Sequence, residues 1–319
     1  MRKEARNTIR IERHEQQAYH GREYYSERYA IHGFERNAFW ASDRPIALDE
    51  NWNRPNGEPL KGYGLEVEME CSGIMSDDAL VAVLDGIVLR HFPKGLFKHQ
   101  SDGSLGGRSS DEAITSVMTK AFIRNQYRAF KAMFEMFPDF GISCSASGSC
   151  GMHVNISNAL LGKTPETQAE NAKKLLYFVN HNYNLCVSLF ARDPNHTHYC
   201  GRMNQYADKN ACKSADMTQM PSAHAYCCNW SHFGAGRVEL RLVGGQKNFP
   251  CFRNTMESVF HLVSAVNSLS WDDLDDLVKV FKGCNQYVYD RLTKCRNDHV
   301  LSDEVVNAVQ PTVKREELI

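Results

Sequence analysis

"YGLEVEME", Tyr63 to Glu70, sets three glutamates at alternate positions with Leu65, Val67 and Met69 between them. In an extended chain successive side chains point to opposite sides. Glu66, Glu68 and Glu70 therefore share one face at a spacing of about 7 Å, and the apolar residues share the other. Like charges in such a row repel, so the row requires either free solvent or a cation. Two further stretches repeat the pattern. In "CGMHVNIS" (150–157), Met152, Val154 and Ile156 face one way and His153, Asn155 and Ser157 the other. In "GRVELRLVGG" (236–245), Val238, Leu240 and Leu242 oppose Arg237, Glu239 and Arg241. An antiparallel sheet with one wet face alternates in the same way. Residue type separates the two readings: Thr, Lys, Ser and Gln usually dress a wet face, whereas Glu, His, Asn and Arg are the inventory for metals and phosphates.

Around these strands, from about residue 61 to 265, β-rich runs alternate with helical ones, which predicts an α+β domain. Helices are predicted for 76–92, capped by Ser76 or Asp77, for 116–137, for 165–191 opening with Pro165, and for 252–269. A C-terminal helical segment over 266–319 is expected to pack on the domain, with helices over 270–292 and 301–309 capped by Ser270 and Ser302. Residues 1–60 read as a polar and aromatic arm. Basic and acidic side chains balance there, Pro45, Pro55 and Pro59 interrupt it, and no apolar period is sustained.

With 319 residues, 42% of them hydrophobic, the chain can bury one substantial core or two modest ones. Lysine plus arginine number 37 against 38 acidic residues, so net charge gives no reason to expect a nucleic-acid or membrane partner. An odd count of 11 cysteines, an opening without an apolar signal segment and the lack of any run of about 20 apolar residues read as a reducing cytoplasm. Cys144, Cys150 and His153 fall close together, yet no C-x-x-C pair occurs, which speaks against structural zinc.

A fourth segment, "KHQSDGSLGGRSSDEAITSV" (98–117), adds oxygen donors. Asp102 sits in a Ser-Asp-Gly-Ser turn, where an Asp also commonly bonds its own backbone, and Glu112 begins a β-prone run or marks a strand edge.

In order along the chain, "GLEVE", "DGSL" with "EAITS", "CGMHVN" and "RVELRL" resemble the amidoligase family of the glutamine synthetase-like carboxylate-amine ligases, which also includes the glutamate-cysteine ligases. The resemblance spans about Gly62 to Val263. It implies a curved antiparallel sheet with helices on its convex face, and a concave face that binds ATP with two or three Mg2+ ions. It further implies that Glu66, Glu68, Glu112 and Glu239 are metal ligands, with Asp102 a ligand or substrate contact. His153 would meet the ATP phosphates beside Asn155, and Arg241 would neutralise the transferring phosphate. An arginine between the histidine strand and the late strand is also implied, and Arg192 and Arg202 both qualify. Val117 stands where the family usually has proline.

The implied chemistry agrees with the residue inventory. Joining a carboxylate to an amine in water needs activation, and transfer of the ATP γ-phosphate gives an acyl phosphate that the amine attacks. The expected partners are a small-molecule or peptide carboxylate and an amine, with a protein substrate and the oligomeric state left open. No Walker-type loop is present, since "GSLGG" (103–107) lacks the G-K-[ST] ending. "LVGGQKN" (242–248), leaving the Glu239 strand, reads either as the loop that meets substrate or as a plain β-turn. Two other classes compete. One is a cysteine-dependent hydrolase using Cys150 with His153 or His224, in which the glutamate rows have no role. The other is a non-catalytic binding or structural protein that uses the arm as an interface.

Overall fold

The computed structural model describes residues 37–39, 46–47, 61–71, 83–84, 86–87, 90–93, 96–100, 110–144, 150–217, 219 and 225–311. Asp102, His224 and nearly all of the arm over 1–60 lie outside these residues. Helices combine with a mainly antiparallel sheet. Among the described residues no helix is long and apolar enough to cross a membrane. The chain forms two compact units: the first holds 63–151 and 247–249 with the strands before residue 60, and the second holds 61–62, 152–246 and 250–311.

The first unit contains β1 (Asn37–Phe39), β2 (Ile46–Ala47), β3 (Tyr63–Cys71), β4 (Phe97–Gln100), β5 (Ser110–Thr115), β6 (Val117–Met118) and β7 (Ile142–Ser143). β3, the strand of "YGLEVEME", is its centre. β5 runs antiparallel to it with Glu68 opposite Glu112 and Val67 opposite Ala113. β6 and β7 pair with the two ends of β3, β4 continues outside β5, and β1 lies parallel to β6 with β2 beyond it. The apolar face behaves as its period requires: Leu65, Val67 and Met69 are buried, and Phe122, Ile123 and Phe130 belong to the same unit's core. The Phe92 ring meets both Phe97 and Phe130 edge-on at 4.9 Å.

The helix predicted for 116–137 starts later. Val117 and Met118 pair as β6, and Thr119 then caps the helix Lys120–Asn125 by accepting from the Phe122 N–H at 3.1 Å. Strand partners at 117–118 outweigh the helical period there. A second helix follows at Tyr127–Met136. Of the helix predicted for 76–92, residues 83–84, 86–87 and 90–91 are helical.

The second unit contains β8 (Met152–Ser157), β9 (Cys228–Asn229) and β10 (Arg237–Leu240), with β10 between the other two and antiparallel to both. Val154, Ile156, Val238 and Leu240 are fully buried. The predicted helix 165–191 is two helices, Pro165–His181 and Tyr183–Leu189, divided at Asn182. Pro165 takes the first helical position behind a Thr164–Thr167 capping box. The helix predicted at 252–269 runs Phe249–Ser268. The one predicted for 270–292 is a 3-10 turn Asp273–Asp275 and two helices, Leu277–Phe281 and Gln286–Asn297. Asp276 and Asn285 each begin a fresh helix by accepting two backbone N–H groups, and Gly283 at φ 75° turns the chain between them. Ser302 caps Asp303–Ala308 as predicted.

Candidate active site

The carboxylate row on β3 is buried. Glu66, Glu68 and Glu70 are 3%, 4% and 6% exposed, and Glu112 on β5 is 4% exposed. Residues directly opposite in an antiparallel pair share a face, so Glu112 joins the row beside Glu68. One carboxylate oxygen from each of these two lies within 4.8 Å of the other. The backbone fixes Glu68 further: its N–H donates to the Gly151 carbonyl at 3.1 Å, and the Gly151 N–H donates to its carboxylate. The Thr115 hydroxyl, three residues beyond Glu112, accepts from the Leu65 N–H at 2.8 Å and pins β5 against β3. The alternating pattern allowed a face open to solvent, and the structure closes that face. Burying carboxylates side by side is costly unless positive charge compensates them.

The second unit gathers a different set on the polar faces of β8 and β10. Glu239 lies opposite Asn155 in register and is 3% exposed. Its Oε1 accepts from Arg241 Nη1 at 2.6 Å and lies 3.5 Å from His153 Nδ1; its Oε2 accepts from Asn229 Nδ2 at 2.9 Å. His153 and Asn155 are buried, and Arg237 Nε donates to Asn155 Oδ1 at 2.7 Å. Sequence reasoning missed Asn229 and gave Arg237 and Gly151 no role. Asn229 sits in a two-residue strand with no period to read.

Arg192 and Arg202 separate clearly. Arg202 is exposed and donates from Nε to the Asn180 carbonyl, whereas Arg192 is 6% exposed. Arg192 owes its position to the end of the helix Tyr183–Leu189. The Arg192 N–H donates to the Val187 carbonyl at 2.9 Å and the Ala191 N–H to Ser188 at 3.1 Å, with Ala191 left-handed at φ 59°. This is a helix-terminating double bond that usually carries glycine at the left-handed residue. Arg192 Nε then donates to the His196 carbonyl at 2.8 Å, and no carboxylate among the described residues pairs with the guanidinium. Burial raises the Cys200 thiol, and the charges of Arg192 and Arg241 pull it back down, so both guanidinium groups act on the same neighbourhood.

The loop predicted to meet substrate has a different constraint. Gly244 N–H donates to the Phe190 carbonyl at 3.0 Å, and a Cβ placed on Gly244 would come 2.2 Å from the Ala191 carbonyl oxygen and 2.6 Å from Arg192 Cα. Glycine is required there by the close approach of two backbones. Cys150 is buried, and its neighbour Cys144 has a thiol raised by burial and by the Cys150 charge.

No family model matches the chain, and no curated protein matches it.

Proposed function

We propose that the protein is an ATP- and Mg2+-dependent carboxylate-amine ligase of the glutamine synthetase-like type, as the amidoligase resemblance implies. In this reading the β3–β5 carboxylates and Glu239 are metal ligands, as the resemblance implies. The burial of Glu66, Glu68, Glu70 and Glu112 carries the proposal, because four carboxylates gathered in one buried patch are a dense set of oxygen donors of the kind that binds divalent cations. The donor set is hard oxygen, which suits Mg2+. Glu66, Glu68, Glu112 and Glu239 would hold the ions, which supply charge neutralisation for a polyphosphate when bound.

The remaining roles follow from charge and position. Arg192 is a buried cation without a carboxylate among the described residues, and an anion such as a phosphate satisfies it. Arg241, held by Glu239, would stabilise charge on the transferring phosphoryl group, and His153 would contact the phosphates. The substrate carboxylate oxygen attacks the γ-phosphorus and ADP leaves. The amine nitrogen then attacks the acyl carbon, the C–O bond breaks with its electron pair leaving on phosphate, and the nitrogen loses a proton.

The test is incubation with ATP, Mg2+ and a panel of amino acids and amines, followed by nucleotide analysis and mass spectrometry. Amide product with stoichiometric ADP and phosphate supports the reading. Formation of AMP, or a product formed without nucleotide, overturns it.

A further inference from the structure

Glu239 accepts hydrogen bonds on both oxygens, and the two donors differ in kind. Arg241 is partly exposed, whereas Asn229 is fully buried and sits directly opposite Glu239 in the β9–β10 ladder. The orientation of the Asn229 amide is decided by its other end. The Ser231 backbone N–H, which can only donate, reaches Asn229 Oδ1 at 3.1 Å, and Ser231 Oγ reaches the same atom at 2.6 Å. The oxygen is therefore committed to Ser231, and Nδ2 must point at Glu239 Oε2, 2.9 Å away.

An aspartate at 229 would set two carboxylates face to face, and a serine or alanine would not span the gap. The tight turn from Asn229 to Ser231 thus converts a backbone N–H into a fixed donor aimed at one carboxylate oxygen. Such outer partners hold a ligating carboxylate in place and sustain metal affinity.

We infer that Asn229, locked by Ser231, is a positioning residue that fixes the Glu239 carboxylate for a divalent cation. The inference rests on the metal role given to Glu239 under the proposed function, and deepens it by naming what holds that ligand.

The experiment uses Mn2+ alone as the probe, with the full chain and no nucleotide, reading free Mn2+ by electron paramagnetic resonance and metal-free stability by thermal melting. Wild type, E239Q, N229A, N229S and S231A are compared. The expected result is loss of a Mn2+ site in E239Q and an affinity about 10- to 100-fold weaker in N229A and N229S. In S231A, which keeps the backbone donor, the affinity falls only a few-fold. Saturating Mn2+ restores occupancy in N229A and N229S but not in E239Q, a split that a general loss of folding does not produce. If N229A fails to fold, N229S and S231A decide. Wild-type affinity in the Asn229 and Ser231 variants, with E239Q defective, overturns the inference and leaves the metal role of Glu239 standing. Identical Mn2+ binding in wild type and E239Q removes the metal role of Glu239 itself, and the inference with it.

Discussion

Replacing Glu112 by glutamine should make the metal-free protein more stable and the metal-loaded protein less so. Glu112 and Glu68 are buried with carboxylate oxygens within 4.8 Å of one another. Two unit charges at that separation repel by about 3.5 kcal/mol at an effective dielectric of about 20. Glutamine has nearly the same shape and keeps one acceptor oxygen. Exchanging a charged acceptor for a neutral one returns about 1–1.5 kcal/mol of that gain. The net is about 2 kcal/mol in favour of E112Q without metal, or a melting temperature higher by about 3 °C for a chain of this size. Mg2+ and nucleotide at 100 times their dissociation constant should add about 2.7 kcal/mol to wild type. In E112Q, which lacks one ligand, they should add little, so the order of the two melting curves inverts. Thermal melting of both proteins in EDTA and in Mg2+ with a non-hydrolysable ATP analogue reads both effects. A metal-free E112Q that melts several degrees below wild type, with the Mg2+ shift intact, would refute the argument: the carboxylates would then be structural partners and not a cation site.

Three shorter tests address other parts of the site. R192A should weaken Mg2+·ATP binding by about 10- to 100-fold, because a buried charged contact contributes about 1.5–3 kcal/mol, while R202A should stay within about twofold; calorimetric titration of both variants checks this. G244A should cost about 1–3 kcal/mol and weaken nucleotide binding as well, since its Cβ meets the Ala191 carbonyl oxygen at 2.2 Å and crowds Arg192; urea melts and the same titration read the two losses together. The Asp273 carboxyl is held down to about 2, from an ordinary 3.8, first by the hydrogen bond from Lys279 and then by Ser270. A depressed carboxylate stabilises the fold above its unfolded value and loses that contribution as pH falls through its folded value. The melting difference between wild type and D273N should therefore be constant above about pH 5 and shrink progressively as pH falls to about 2 and below. A difference unchanged at pH 2 would mean that the Lys279 contact contributes nothing.

Alternation made β3, β8 and β10 legible, because a period of two fixes which residues share a face. It does not say what covers that face. Glu66, Glu68 and Glu70 would read the same on a solvated sheet, and only the structure shows them buried. The Arg192–Arg202 choice failed for a similar reason. Both lie in the right interval, but their exposure is set by a left-handed Ala191 at the end of a helix, and alanine there carries no signal of a positive φ. At 116–118 the apolar period suited a helix and the strand partners won, yet Thr119 remained a readable cap. Asn229 was illegible altogether, since its role comes from a cross-strand partner in a two-residue strand and from the turn that follows. What a lone sequence conveys best here is the ligand-bearing strand, whose side chains repeat. It conveys least about the groups that hold those ligands still, each of which acts once and from a place that only folding defines.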